Sequence, residues 1–120
     1  MVDDDEFQRK LATRLLEPQH YQVVGAESGA EALGALRKTR PDVILMDLEM
    51  PGIGGIETLR HLKAAPQFSG ISVVMITGKS EGDAVVACMK AGACDFIVKP
   101  FDRDTLLTKV ARAISAKAAS

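Results

Sequence analysis

Three short runs of apolar residues, separated by segments that suit helices, constrain the fold of this chain more than any other feature. The runs are DVILMD at 42–47, ISVVMIT at 71–77 and DFIVK at 95–99. The first two show no alternation of polar and apolar residues, so both faces of each strand need to be covered. Such runs are typical of parallel strands between two layers of helices, and we predict an α/β fold.

The remaining segments complete the alternation of strands and helices. A further strand is predicted over 21–26, and helices over 7–16, 28–40, 56–63, 81–91 and 103–116. Ser28 and Glu31 have the spacing of a capping box, and Pro18 and Gly92 mark helix ends. At 120 residues the chain has the length of one domain with a single core, which we assign to residues 1–120.

Composition and charge argue against several classes of function. The formal net charge of −1 offers no basic surface for nucleic acid. No apolar run has the length of a membrane span, and the N-terminus lacks a signal pattern. Cys88 and Cys94 have neither the CxxC spacing nor a neighbouring His, so we interpret both as reduced thiols. We therefore predict a cytoplasmic protein without direct nucleic-acid or membrane partners.

Polar side chains stand where the predicted strands end. Asp47, Thr77 and Lys99 each close one of the three apolar runs, and the acidic run VDDDE at 2–6 precedes the first helix. In an open α/β sheet, ligands bind outside the carboxyl ends of the strands. Asp3 and Asp4 should reach that same edge, so we predict one pocket with three carboxylates, a hydroxyl and an ammonium.

Each of these residues also has a purely structural interpretation. The acids at 3–6 could stabilise the N-terminus of the first helix, which accounts for Asp5 and Glu6. Asp47 could be a turn residue, Thr77 a strand former and Lys99 a surface charge. Taken together, these interpretations require three coincidences at successive strand ends, so a shared site is the better hypothesis.

The whole chain resembles the receiver domain of two-component response regulators, of the single-domain, chemotaxis-regulator kind. The resemblance is carried by VDDDE, PDVILMDLEMPGIGG, VVMITGKS and AGACDFIVKPF, which follow one another in the family's order and spacing. It implies a flavodoxin-like, doubly wound sheet of five parallel strands in the order 2-1-3-4-5, with helices on both faces. The first of these strands is truncated here.

The resemblance also implies a reaction. Asp47 would accept a phosphoryl group from the phosphohistidine of a sensor histidine kinase or of a histidine phosphotransfer protein. Thr77 would then hydrogen-bond the phosphoryl group, and Lys99 would stabilise its oxygens as the bond forms. The expected chemistry is self-catalysed phosphoryl transfer with slow autodephosphorylation, so the protein is not expected to be an enzyme in the usual sense.

A magnesium ion is implied by the same resemblance. Asp4, Asp47 and the backbone carbonyl of Glu49 would bind Mg²⁺ directly, and Asp3 would act through water. The physical chemistry agrees, because clustered carboxylates repel one another unless a cation joins them, and Mg²⁺ prefers oxygen ligands.

The expected output of the switch involves an aromatic residue. Phe96, three residues before Lys99, occupies the place of the family's switch aromatic, although it could equally be an ordinary core residue. The surface built from 81–91, 95–98 and the last helix would present the change to an effector that the sequence does not identify. The resemblance further predicts a cis peptide bond between Lys99 and Pro100.

Two charges bear on how long a phosphorylated state would last. Glu49 and Lys79 each lie two residues beyond a strand end, so an ion pair between them would cover the mouth of the pocket. Such a pair would impede the hydrolytic water; two independent, solvated charges are the alternative.

Other classes of protein stay open at this point. A haloacid-dehalogenase-type phosphatase also uses an aspartyl nucleophile, but it requires a second Asp two residues later, where this chain has Glu49. A flavin or nucleotide module would need a Gly-rich loop after the first strand, where this chain has acids. A degenerate receiver that acts only as a protein-interaction module would have lost a key group, and none is lost.

Two departures from the family pattern are visible. Gly54 replaces an Asp that is common in the turn after Asp47. Only Met1 and Val2 precede Asp3, where the family has an apolar strand, and losing three or four buried aliphatic residues would cost roughly 5–10 kcal/mol. We therefore expect that the natural polypeptide begins upstream of Met1, or that something else fills the place of the first strand.

Overall fold

The computed structural model describes residues 1–50, 54–78 and 82–119. The turn predicted around 51–53 and the side chain of Lys79 lie outside the described residues. None of the helices in the described part of the chain is long and apolar enough to cross a membrane. In chain order the elements are α1 (Glu6–Leu16), a short 3-10 turn (Glu17–Gln19), α2 (Gly29–Ala35), β1 (Val43–Asp47), α3 (Gly55–Ala64), β2 (Ser72–Thr77), α4 (Gly82–Lys90), β3 (Asp95–Val98) and α5 (Arg103–Ala119).

The three apolar runs form one parallel sheet in the order β1-β2-β3. The sheet is covered by helices on both faces, as its unbroken apolar strands predicted. On one face, the strands pack against buried residues of α2, α3 and α4, namely Ala32, Leu59, Leu62 and Cys88. On the other face, they pack against buried residues of α1 and α5, namely Ala12, Leu16, Leu106 and Val110.

The first two strands of the predicted five-stranded sheet are reduced to single bridges. Val2 bridges Ala26 on one side and Met46 on the other, both in parallel. The N–H of Val2 donates to the carbonyl of Leu45 at 2.7 Å, and the N–H of Asp47 donates to the carbonyl of Val2 at 2.8 Å. Residues 1–3 therefore lie between Ala26 and β1, and the expected order 2-1-3-4-5 is kept.

The prediction of a regular strand over 21–26 is wrong. Its only hydrogen-bonded neighbour in the described structure is the stretch Met1–Asp3, which reaches no further than the end of that segment. A parallel ladder needs a partner along its whole length, so the segment forms a bridge only where that partner is present.

A cavity of about 540 Å³ lies beside β1, and Met1 and Val2 are among the residues that line it. It lies between residues 21–26 on one side and Val43–Leu45 on the other. Apolar side chains form much of its wall, including Leu16, Val110 and Ile114.

Helix α2 is shorter than the predicted 28–40. Its start is as expected, since the hydroxyl of Ser28 accepts a hydrogen bond from the N–H of Glu31. After Ala35 the chain tightens into a turn, in which the N–H of Lys38 donates to the carbonyl of Ala35. Two glycines in a helix of seven residues lower its intrinsic stability, and Pro41 disfavours helical geometry in the residue before it.

Candidate functional site

The carboxyl ends of the strands bring the predicted site residues to one edge of the sheet. Asp47 closes β1 and is 4% exposed, and Thr77 closes β2 and is 1% exposed. Lys99 follows β3 directly and is half-buried. Its ammonium lies 3.3 Å from Oδ1 of Asp47 and 3.2 Å from Oδ2 of Asp3. The structure therefore brings together residues that are far apart in the sequence.

Three carboxylates converge at this edge. Asp3, Asp4 and Asp47 each offer an oxygen atom, and these atoms lie within 4.8 Å of one another. Asp3 and Asp47 are buried, whereas Asp4 is exposed. Carboxylate oxygens grouped beside an exposed residue suit Mg²⁺, because this ion binds few carboxylates and keeps several waters. The residues present are thus suited to the metal that the family resemblance implies.

The backbone around Glu49 also faces this cluster. The N–H of Glu49 donates to Oδ1 of Asp47 at 3.3 Å, which holds the turn after β1 against the carboxylate. This contact orients Asp47. The expected role of the Glu49 carbonyl as a metal ligand still rests on the resemblance described above.

The surroundings of Asp47 disfavour its ionised form. Burial raises the pKa of Asp47 from 3.8 to about 6, and the negative charge of Asp3 adds to the rise. Lys99 and the N–H of Glu49 act in the opposite direction but do not cancel it. The site therefore gains from an added cation near Asp47.

The same groups shift the pKa of Lys99. Burial alone would lower the pKa of its ammonium, but the charges of Asp47 and Asp3 outweigh burial and raise that pKa. Within the described residues, Lys99 makes the only ion pairs to the three clustered carboxylates. One ammonium facing three acids leaves a net negative site.

Asp3 is held more firmly than the sequence indicated. Its Oδ1 accepts from the N–H of Asp5 at 2.9 Å, and its Oδ2 faces Lys99. Asp5 also caps α1 as predicted, since its Oδ1 accepts from the N–H of Phe7 at 2.9 Å. The residue pattern places Asp5 at the helix end alone, because it does not reveal the backbone turn that links Asp5 to Asp3.

Arg9 is a residue of the site that sequence reasoning missed. Its Nη1 donates to the backbone carbonyl of Asp3 at 2.7 Å. The only signal in the sequence is a lone cation on the first helix, one turn after the acidic run, and that signal is common on solvated helices.

The loops after β2 and β3 are tied together beneath the pocket. The N–H of Lys99 donates to the carbonyl of Thr77 at 2.7 Å. The peptide bond between Lys99 and Pro100 is cis, which confirms the prediction. The predicted partner of Glu49 across the pocket mouth, Lys79, lies outside the described residues, so that ion pair stays a prediction.

Phe96 lies on β3, half-buried against the core cluster that α2, α3 and α4 share. Its N–H donates to Oδ1 of Asp95 at 2.8 Å, and the same oxygen accepts from Nζ of Lys109 at 2.9 Å. That ammonium lies 5.5 Å from the centroid of the Phe96 ring. On the neighbouring α4, Val86 and Met89 are about half exposed, which makes this face partly apolar.

Comparison with known proteins identifies the family of the chain. The family model of the response regulator receiver domain matches residues 1–111. The chain is 36% identical over 110 residues to protein PilH of Pseudomonas aeruginosa, covering 92% of this chain and 91% of PilH. It is 39% identical over 112 residues to the CAI-1 autoinducer sensor kinase/phosphatase CqsS of Vibrio cholerae serotype O1, covering 92% of this chain. It spans only 16% of the length of CqsS.

The fold agrees with a solved structure of the same kind. The signal receiver domain of a signal transduction histidine kinase from Syntrophus aciditrophicus superposes with a TM-score of 0.88 at 36% sequence identity. The superposition covers 96% of this chain and 87% of the other. A likeness of this extent shows that the two chains share one fold.

Proposed function

This chain belongs to the response regulator receiver domain family, and we propose that it is a phosphorylation-dependent switch in which Asp47 accepts the phosphoryl group. The observation that carries the proposal is the position of Asp47 at a strand end. Its carboxylate lies 3.3 Å from an ammonium and close to two further carboxylates that suit Mg²⁺. A buried, rigidly held carboxylate beside such groups is what phosphoryl transfer requires, since positioning and charge neutralisation dominate that reaction.

The proposed donor is a phosphohistidine on a sensor histidine kinase or a histidine phosphotransfer protein. An oxygen of Asp47 forms a bond to phosphorus while the bond between phosphorus and the imidazole nitrogen breaks, and the nitrogen keeps the electron pair. The reaction needs Asp47 ionised, and its pKa of about 6 leaves it mostly ionised at neutral pH. Bound Mg²⁺ would neutralise charge on the phosphoryl oxygens.

The residues around Asp47 have separate tasks in this proposal. Asp4, Asp47 and the Glu49 carbonyl would hold Mg²⁺ directly, and Asp3 would act through water. Lys99, already beside Asp47, contacts a phosphoryl oxygen as the new bond forms.

The output follows from two further residues. Thr77 hydrogen-bonds the phosphoryl group, and Phe96 changes its position in response. The half-buried ring of Phe96 and the exposed apolar side chains of α4 support a surface formed by α4, β3 and α5 as the output face. The effector that binds there is a protein of unknown identity.

The proposed setting is the cytoplasm. Cys88 and Cys94 are free thiols, which is typical of proteins in reducing compartments. Each chain accepts one phosphoryl group and then slowly hydrolyses its own aspartyl phosphate. It is not a turnover enzyme in this account.

The experiment that tests the function is labelling by acetyl phosphate, with Mg²⁺ in one sample and a chelator in the other. We expect one phosphoryl group per chain with Mg²⁺ and none with the chelator. No labelling in either sample would favour a degenerate receiver that acts only through protein binding. Continuous release of phosphate from many phosphate esters would instead favour a phosphatase of the haloacid-dehalogenase type.

A further inference from the structure

The backbone carbonyl of Asp3 receives its hydrogen bond from a side chain, and that side chain is Arg9. From this contact we propose that Arg9 is a positioning residue for the metal-binding carboxylates, which acts by fixing the peptide between Asp3 and Asp4. The inference rests on the proposed function, because it concerns the Mg²⁺ that phosphoryl transfer at Asp47 requires.

The parallel ladder leaves this carbonyl to be satisfied in another way. The N–H of Ala26 donates to the carbonyl of Met1 at 2.9 Å, and the N–H of Asp3 donates to the carbonyl of Ala26 at 3.0 Å. The next bond of such a ladder would run from the N–H of Ser28 to the carbonyl of Asp3. Ser28 is instead the N-cap of α2, and no backbone bond among the described residues reaches that carbonyl. The guanidinium of Arg9 takes the place of the missing ladder bond.

The orientation of the Asp3 carbonyl determines the position from which the side chain of Asp4 extends. The carbonyl of Asp3 and the N–H of Asp4 belong to one planar peptide unit, so the bond to Arg9 sets the orientation of that plane. The Asp3 carboxylate has its own supports in Asp5 and Lys99. No side-chain hydrogen bond in the described structure holds the carboxylate of Asp4, which makes it the metal ligand most dependent on its backbone.

Arg9 itself approaches from a well-supported position. It lies in the first half of α1, whose N-terminus Asp5 caps, and its backbone N–H donates to the carbonyl of Asp5 at 3.1 Å. Its side chain crosses Gly25 closely, since a Cβ at that glycine would lie 3.4 Å from Cδ of Arg9. The half-buried guanidinium therefore joins α1, the end of the 21–26 segment and the acidic turn.

The positive charge of Arg9 and its hydrogen bond to the Asp3 carbonyl should have opposite effects on the affinity for Mg²⁺. A cation near the carboxylates repels Mg²⁺, so removal of the charge alone would tighten metal binding. Removal of the hydrogen bond to the Asp3 carbonyl would weaken metal binding, because Asp4 would no longer be oriented. The sign of the change separates the two roles.

The test is calorimetric titration of Mg²⁺ into the wild-type chain and into Arg9→Met, Arg9→Lys and Arg14→Met. Arg14 lies on the same helix and is exposed, so Arg14→Met removes the same charge without the contact. We expect Arg9→Met to bind Mg²⁺ about tenfold more weakly than the wild type. Arg9→Lys should recover part of the loss, and Arg14→Met should bind as tightly as the wild type or more tightly.

Binding by Arg9→Met that is as tight as binding by Arg14→Met would overturn the proposal. Thermal unfolding without metal checks that each variant is folded. If Arg9→Met does not fold, Arg9→Lys takes its place in the comparison with Arg14→Met, and equal Mg²⁺ affinity of those two variants would overturn the proposal. Failure of the wild type to bind Mg²⁺ would instead overturn the proposed function. A change in the Asp4 amide resonance of folded Arg9→Met would locate the effect at the peptide that Arg9 contacts.

Discussion

Nζ of Lys99 lies 3.3 Å from Oδ1 of Asp47. Asp47 closes β1 and Lys99 follows β3, and these two strands lie on either side of β2. This pair is incomplete as an electrostatic unit, because the same ammonium also lies 3.2 Å from Oδ2 of Asp3. Burial and the negative charge of Asp3 raise the pKa of Asp47, and the shared ammonium of Lys99 does not cancel that rise. The folded state therefore favours a proton on Asp47, or an added cation beside it.

The first prediction concerns stability and pH. The pKa of Asp47 is raised from 3.8 to about 6 in the folded state, so the folded chain holds this proton more tightly than the unfolded chain. That contribution to stability is fully present below about pH 4 and is lost as the pH rises through about 6. Asp47→Asn should therefore be more stable than the wild type at pH 7, by roughly 1–3 kcal/mol.

Urea unfolding from pH 4 to pH 8, with a chelator present, measures this difference. The two proteins should converge in free energy of unfolding as the pH approaches 4. A difference that stays constant over the whole range would show that the ionisation of Asp47 is not its cause.

The second prediction concerns magnesium. Protons and Mg²⁺ compete for the same oxygen atoms, so metal binding requires Asp47 to be ionised. The affinity for Mg²⁺ should be nearly constant above pH 7 and fall about tenfold per pH unit below about 6. Titration calorimetry at pH 5, 6, 7 and 8 gives these affinities, and binding independent of pH over that range would argue against Asp47 as a ligand.

The site itself was the part of the molecule most predictable from sequence. Asp47, Thr77 and Lys99 end or follow buried strands, and the carboxyl ends of parallel strands meet at one edge whatever the details of the loops. The contacts of Asp5 and Arg9 with Asp3 were not predictable. They depend on the turn between the first bridge and α1, and no residue pattern specifies that geometry.

The first two strands of the order show a second limit of sequence reasoning. Residues 21–26 have the composition of a strand, but strand formation depends on a partner as well as on composition. The ladder here extends only as far as Met1–Asp3 reach, so the segment keeps a single bridge at Ala26. The doubly wound order survives because each bridge of Val2 is parallel and lies on the expected side.

The third prediction concerns Lys99. Lys99→Ala should still accept a phosphoryl group with Mg²⁺ present, because Asp47 remains, but it should fail to transmit the change to Phe96. Amide resonances of Thr77 and Phe96, followed before and after phosphorylation, report that transmission. Lys10→Ala is the control, since Lys10 is exposed and pairs only with Glu6 in the described structure. Equal shifts at Phe96 in the wild type and in Lys99→Ala would contradict a role for Lys99 in the switch.

The fourth prediction concerns the cavity beside β1. A variant that carries four apolar, β-branched residues before Met1 should extend the ladder of Val2 into the cavity of about 540 Å³. Burial of three or four aliphatic side chains would raise the free energy of unfolding by several kcal/mol, up to about 5–10 kcal/mol. A variant with four Gly and Ser residues at the same place is the control. Equal denaturation midpoints for the two variants would show that the cavity does not accept a strand.

The measurement that tests the central claim most directly is the intact mass of the wild type and of Asp47→Asn after incubation with acetyl phosphate and Mg²⁺. The buried Asn keeps the shape of the side chain but lacks the nucleophilic carboxylate. We predict one added phosphoryl group on the wild type and none on Asp47→Asn, with both proteins folded. A phosphoryl group on Asp47→Asn in the same yield as on the wild type would show that Asp47 is not the acceptor.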